Sequence, residues 1–313
     1  MSPRAPLALS LLMACGPGAA PEAPPAPSPA APEAPAESES VESEGPGPIP
    51  ASWVAERVAA AEARLGTSPG GRLVLRAVEA HGGLAAWLAK GTLEFTFAYS
   101  PLGRPEGRMH TRQQVDLWRA HARHEEIGGD AVFGWDGERA WMHPGPDAFP
   151  QSARFWSLTP YYFVGMPFVV ADPGAKHEQL PDAPLNGRPH DVVKVTYDAG
   201  TGDSPDDYYV LYLDKATHRL AALRYVVAYP GFFPEGGHTP EKLMRYTEPM
   251  TVDGLVFAQR LDTYAWDPEA GEPGAKVTEI IVGQPTLGAS LPADHFAPIE
   301  GAHVSTEIAA TPR

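Results

Sequence analysis

The side chains with chemistry to offer are few and scattered. Asp198, Asp203, Asp206 and Asp207 crowd one glycine-rich run, DAGTGDSPDD. Carboxylates on a loop suit a hard cation such as Ca²⁺. Their spacing does not match an EF-hand loop, which needs ligands at fixed positions and a closing Glu. Asp203, Asp206 and Asp207 are therefore weak metal candidates beside the simpler reading of a polar hairpin tip. The tightest histidine pair is His121 and His124. On a strand, residues three apart point to opposite faces, so this pair makes a poor chelate. No His-Glu-x-x-His, Gly-x-Ser-x-Gly elbow, P-loop or dinucleotide fingerprint occurs. No cofactor is expected, no catalytic residue is assigned, and the chain does not read as an enzyme. A hydrolase with an unrecognised site stays open as an alternative.

One thiol remains. Cys15 is the only cysteine in 313 residues. Ahead of it lie a single charge, Arg4, and an apolar run through Leu7, Leu9, Leu11, Leu12 and Met13, closing on Ala14. A positive start, an apolar middle and a small residue at the cut site describe a signal peptide. The run is far short of the ~20 residues that span a bilayer. Leu12-Met13-Ala14-Cys15 resembles the lipobox of bacterial lipoproteins. That resemblance implies a diacylglyceryl group on the sulfur, palmitate-type acylation of the new amine, and removal of residues 1–14. Two or more acyl chains anchor stably where one does not. Gly16 follows the cysteine where Asp would favour inner-membrane retention, which points to the outer membrane and an envelope location. With Cys15 acylated, no disulfide can form, so the fold rests on its core.

The elements that follow must hold any site. Residues 16–50 carry no aromatic residue, no Lys and no Arg, but many Pro and Glu. Such a segment cannot bury enough apolar surface to offset its ordering entropy. It reads as a disordered, extended tether, on the order of 100 Å at full stretch. Residues 51–313 suit one domain. The net charge of −15 argues against nucleic acid, whose phosphates call for Lys and Arg, and against broad adhesion to anionic lipid.

A helix is expected over 52–65, with Ser52 as its cap and Gly66 as its stop. A second stripe runs from Pro69 to Gly91, broken at Gly82-Gly83 into a kink or two short helices. At Thr92 the period changes. Leu93, Phe95, Phe97 and Tyr99 alternate with smaller or polar residues, the pattern of a strand with one greasy face. A wetter strand is read over 115–123. Segments 132–135 and 139–142 meet across Asp136-Gly137, a hairpin signal. Further strands are read over 192–197, 208–213, 220–229, 255–264 and 277–282, with turns at 214–218 and 253–254. Between them sits an apolar insert, residues 159–172. The fold class is α+β, mostly β. A large curved antiparallel sheet is covered by N-terminal helices and by that inserted helical lid.

The order of these pieces resembles the LolA/LolB-type lipoprotein-carrier superfamily. A helix precedes paired strands with a turn of the form xxDGxxxW, then comes the insert, then DYYVLYLDKATHRLAALRY. The runs AHGGLAAW, PYYFVGMPFVVADPG and LPADHFAP look like an uncharacterised group of bacterial secreted proteins related to it. The resemblance spans most of the chain after Ala51. It implies an unclosed half-barrel that wraps a lid and leaves an apolar cavity for acyl chains. LolA carriers are soluble and unlipidated. A lipobox brings this chain nearer to LolB, and so nearer to a tethered receptor or binder than to a shuttle.

The candidate ligand contacts follow. Leu93, Phe95 and Phe97 would supply the sheet side. Tyr161, Tyr162, Phe163, Met166, Phe168 and Val169 would supply the insert, where Gly165 and Pro167 soften the helix and Met adapts to variable guests. Phe232 and Phe233, between Pro and Gly breakers, fall on a loop. The expected partners are a membrane, through the N-terminal lipid, and a lipid or lipoprotein acyl chain. The alternative is a non-catalytic envelope scaffold with a packed core. Replacing Cys15 with Ser should abolish incorporation of radiolabelled fatty acid and free the protein from the membrane fraction. Retained label in that variant would remove the anchor.

Overall fold

The computed structural model describes residues 49–204 and 206–305. Cys15, the leader at 1–14 and nearly all of the tether lie outside the described residues. Three helices come first. α1 (Ala51–Leu65) begins one residue before the expected Ser52 cap. The Pro50 carbonyl instead receives the Trp53 and Val54 N–H groups. α2 (Pro69–Ala80) is capped by Ser68, whose hydroxyl accepts from the Gly71 N–H at 3.0 Å. Gly82 and Gly83 both take positive φ, which costs glycine little. They separate α2 from α3 (Leu84–Lys90).

The sheet then builds in two runs. The first is β1 (Thr92–Pro101), β2 (Met109–Asp116), β3 (His121–Glu126), β4 (Val132–Trp135) and β5 (Ala140–His143). The single strand expected over 115–123 is in fact the end of β2, a turn, and the start of β3. Asp116 makes that turn by accepting from the Trp118 and Arg119 N–H groups, and Ala120 takes positive φ. Alternation of apolar residues runs straight across the turn, so periodicity alone does not reveal it. The Asp136-Gly137 hairpin joins β4 and β5 as expected.

The second run is β6 (Ala175–Leu185), β7 (Arg188–Tyr197), β8 (Tyr209–Asp214), β9 (Leu220–Tyr225), β10 (Lys242–Val252), β11 (Leu255–Asp267) and β12 (Glu272–Leu287). β6 and β10 escape the sequence reading. β6 carries Pro181 and Pro184 and is largely exposed, which an edge strand tolerates. β10 alternates weakly because much of its length is wet on both faces. A short β13 (His303–Val304) pairs with β5.

The strand order is β13-β5-β4-β3-β2-β1-β12-β11-β10-β9-β8-β7-β6. All pairings are antiparallel, and the sheet is open and curved. β1 pairs with β12, so the two runs meet in the middle and grow outward. β5 and β6 consequently lie far apart in the sheet, and the chain between them must cross its apolar face. That crossing contains α4 (Ala153–Val164) and a 3₁₀ turn at Val169–Ala171. The main core lies on this inner face, where Leu93, Phe95, Phe97, Phe133, Leu211 and Leu223 are fully buried. A smaller cluster around Val192, Tyr212 and Leu243 packs separately.

α2 packs against β6 and β7. The approach is close because Gly70 has no side chain. A Cβ there would sit 2.7 Å from the His177 carbonyl oxygen on β6. Helix propensity alone favours Ala over Gly by up to about 1 kcal/mol, but a backbone clash outweighs that. Gly70→Ala should therefore destabilise the protein by about 1–3 kcal/mol in urea unfolding. A gain in stability would show that α2 is free to shift.

Candidate functional site

The insert is held from three sides. Ser152 caps α4 by accepting from the Phe155 N–H at 3.1 Å. On the helical side, Trp87 of α3 stacks on Phe168 at 4.6 Å and on Tyr161 at 6.4 Å, with both rings nearly parallel to the indole. From β3, His124 Nε2 donates to the Ser157 carbonyl at 2.9 Å. From β10, the Tyr246 hydroxyl donates to the Phe163 carbonyl at 2.9 Å. Burial holds His124 neutral, its pKa lowered to about 4. It is a packed core histidine, and so is His81, lowered to about 4 by the same cause.

The interior beside α4 is not filled. A cavity of ≈ 380 Å³ opens between α4 and the β7–β8 part of the sheet. Phe155, Leu158, Thr159 and Tyr162 form its helical wall. Tyr197 of β7 and Tyr209 of β8 form its sheet wall. Val227 and Tyr229, just beyond β9, continue that wall. The strand expected over 220–229 stops at Tyr225, so these two residues are presented from a loop.

The aspartate-rich loop borders the cavity. Residues 198–207 link β7 to β8 as the hairpin tip that the sequence suggests, and Asp203, Ser204 and Asp207 face the void. Asp203 pairs with Arg154 of α4 at 2.6 Å, with both side chains largely buried. Arg154 also lies over the Trp135 ring, 3.4 Å from its centroid. This pair ties the hairpin tip to the insert. Among the described residues, no group of His, Cys, Asp and Glu is arranged to hold a metal ion. Asp203, Asp206 and Asp207 do not converge on a common point.

Asp207 differs from its neighbours. Burial raises its carboxyl to about 7. The Ala228 N–H, donating at 2.5 Å, acts the other way, as does His238, while Asp206 adds to the rise. Asp172, also on the wall, pairs with Arg57 of α1 at 2.9 Å. Tyr162 and Tyr197 share a short hydroxyl–hydroxyl hydrogen bond, and burial raises both phenols well above their usual range.

The structure divides the sequence candidates. Tyr161, Tyr162, Phe163 and Val169 line the cavity. Leu93, Phe95 and Phe97 do not; all three are packed into the core. Phe168 is spent on Trp87. Met166 borders a second recess of ≈ 240 Å³ on the other side of the insert, with His81, Tyr246 and Phe257. Phe232 is half exposed and packs on the outside of two wall residues, Phe155 at 4.9 Å and Tyr229 at 5.2 Å. Phe233 sits in the same turn, its N–H bonded to the Tyr229 carbonyl. Sequence reasoning missed Tyr197, Tyr209 and Asp207 as wall residues. Their signal was present, in an Asp-rich tip flanked by Tyr-ended strands, but the tip reads as solvent-facing until the insert is placed beside it. Among the described residues, no histidine lines this cavity, whereas His81 and Asp214 both line the second recess.

No family model and no curated protein matches the chain. Solved structures similar to it include a LolA superfamily protein from Nitrosomonas europaea, at 12% identity and TM-score 0.48, covering 73% of this chain and 97% of that one. A DUF1329 family protein from Desulfovibrio piger has 10% identity and TM-score 0.45, with the same coverage of each chain. A putative outer membrane lipoprotein-sorting protein domain from Vibrio parahaemolyticus has 12% identity and TM-score 0.41, covering 66% and 90%.

The raised carboxyl of Asp207 has a consequence for stability. An unfolded Asp titrates near 3.9, so between about pH 4 and pH 7 the folded state binds more protons than the unfolded one. Stability contributed by this residue then falls as pH rises through that window. Asp207→Asn keeps an oxygen for the Ala228 N–H and removes the charge. Discounted for partial exposure, it should stabilise by about 1–3 kcal/mol at pH 8 and by little at pH 4. Urea unfolding at the two pH values checks this. An equal effect at both would show that the buried charge is not its cause.

Proposed function

We propose that this chain is a lipid-anchored envelope protein that holds one apolar chain of a ligand between α4 and the sheet. The cavity beside Tyr162 carries the reading. It is apolar and aromatic along most of its wall, with a few polar groups gathered at the β7–β8 tip, the usual composition of a small-molecule site. Its size limits the guest. Ligand pockets run from roughly 300 to 1,000 Å³, and ≈ 380 Å³ is near the bottom of that range. One chain fits the void as it stands; a lipid with two or three chains would require α4 to move. Binding would be non-covalent, each buried methylene contributing roughly 0.8 kcal/mol.

Anchoring belongs to the same proposal. An acylated Cys15 followed by a long Pro/Glu tether would let the domain reach a bilayer or a partner without leaving the membrane. Gly16 supports the outer membrane as the place. The scaffold alternative is favoured at the β1 face, where Leu93, Phe95 and Phe97 leave no room, but not beside α4.

Leu158 offers a direct test, since its side chain borders the void and is only partly buried. The full-length protein, extracted gently, should take up one molecule of 1-decanol per chain in native mass spectrometry. Leu158→Trp, which fills the space, should cut that uptake at least tenfold while the protein stays folded. Absence of any bound lipid and of any uptake by the unaltered protein would sink the proposal.

A further inference from the structure

The polar end of the cavity has a chemistry of its own. Tyr162, Tyr197 and Tyr209 form a trio there. Their ring centroids lie 5.4, 6.3 and 6.4 Å apart, and the rings are inclined to one another by 37° to 88°. All three line the void. Asp207 lies close enough to act on both Tyr197 and Tyr209 through its charge. It makes no salt bridge among the described residues. Inclined aromatic faces with a carboxylate beside them are the arrangement that attracts an ammonium group, because the ring faces carry negative charge.

The remaining charges at the wall point the same way. Asp172, Asp203 and Asp207 are three carboxylates, against one guanidinium, that of Arg154. Arg154 is engaged by Asp203 at 2.6 Å. Asp172 is engaged by Arg57 at 2.9 Å. A ligand carboxylate, sulfate or phosphate would find both cations taken and would face Asp207. A cation would find Asp207 and three tyrosine rings, and its charge would offset the cost of burying that carboxyl.

We infer that the ligand of this cavity is an amphiphile whose polar end is an ammonium group, seated among Tyr162, Tyr197, Tyr209 and Asp207. The inference rests on the reading above that the cavity takes an apolar chain. The chain lies along Leu158, Phe155 and Val227, and the head reaches the hairpin tip. A free small amine and a chain-bearing amine share the head chemistry, so the experiment separates them.

Titration calorimetry on the full-length protein, at pH 8 and in 0.15 M salt, decides it. Asp207 is ionised at that pH, and the salt screens the protein's overall negative charge. The probes are octyltrimethylammonium, octylammonium, octyl sulfate, 1-octanol and tetramethylammonium. The two octylammonium probes should bind at least tenfold more tightly than octyl sulfate or 1-octanol. Tetramethylammonium should bind far more weakly than its octyl counterpart, marking a chain-bearing ligand; equal binding of the two would overturn the amphiphile in favour of a small amine. Asp207→Asn, expected to fold at least as well as the unaltered protein, should lose the preference for the cation and keep its affinity for 1-octanol. Asp130→Asn, an equal charge change on the exposed β3–β4 turn, should change neither. Octyl sulfate or 1-octanol binding as tightly as the cations would overturn the head-group inference and leave the apolar site standing. A cation preference that survives Asp207→Asn undiminished would overturn the seat assigned here. Failure of every octyl probe to bind would overturn the apolar site itself.

Discussion

A sheet of thirteen strands whose first run ends far from where its second begins imposes one constraint that the rest of the molecule obeys. β5 and β6 lie on opposite arms of the sheet, so the chain between them has to pass over the apolar face. A crossing segment at that depth cannot remain irregular, since each unpaired backbone group there would cost a hydrogen bond. α4 meets that demand with its own internal bonds, and its ends are satisfied by Ser152, Tyr246 and the turn at Gly165. The aromatic character of the insert follows from the same position. Rings fill the space between a helix and a curved surface better than aliphatic chains do, and Trp87, Phe168 and Tyr161 form a stack that fixes the insert to the N-terminal helices.

A helix laid over a curved sheet does not touch it evenly. α4 packs closely over β3, β4 and β5, where His124, Phe133 and Phe149 stack in series at 4.4 and 4.1 Å. α2 closes over β6 and β7 through its glycine contact. Tyr197 of β7 and Tyr209 of β8 meet Tyr162 of α4, and the cavity lies beside them. The β7–β8 tip borders it through Asp203, Ser204 and Asp207.

Electrostatics at that tip are costly. A buried ion pair such as Arg154–Asp203 returns little net stability once desolvation is counted, and a buried carboxyl raised to about 7 is a direct loss at neutral pH. Stability is therefore given up beside the void. His124 and His81, more deeply buried, act with the opposite sign. Held neutral, they weaken the fold as pH falls from about 6.5 toward 4, whereas Asp207 weakens it as pH rises from about 4 to 7.

The sequence by itself determined what depends on neighbours along the chain. Alternation in Leu93, Phe95 and Phe97, the Asp136-Gly137 turn, the break at Gly82-Gly83 and the oily insert near Tyr161 are all local patterns, and each element formed close to where its pattern lies. Local patterns failed where a strand had little to alternate, as in β6 and β10, or where alternation ran through a turn, as at Asp116. Only the tertiary structure decided which aromatic side chains border empty space. Phe95 and Tyr209 are both buried strand residues, and nothing in their surroundings along the chain tells a packed ring from a cavity wall. The difference lies in strand order, which brings the 198–207 tip, the insert and the end of β9 to one place. Contacts of that kind are set by register and curvature summed over the whole sheet, and no window of sequence contains them.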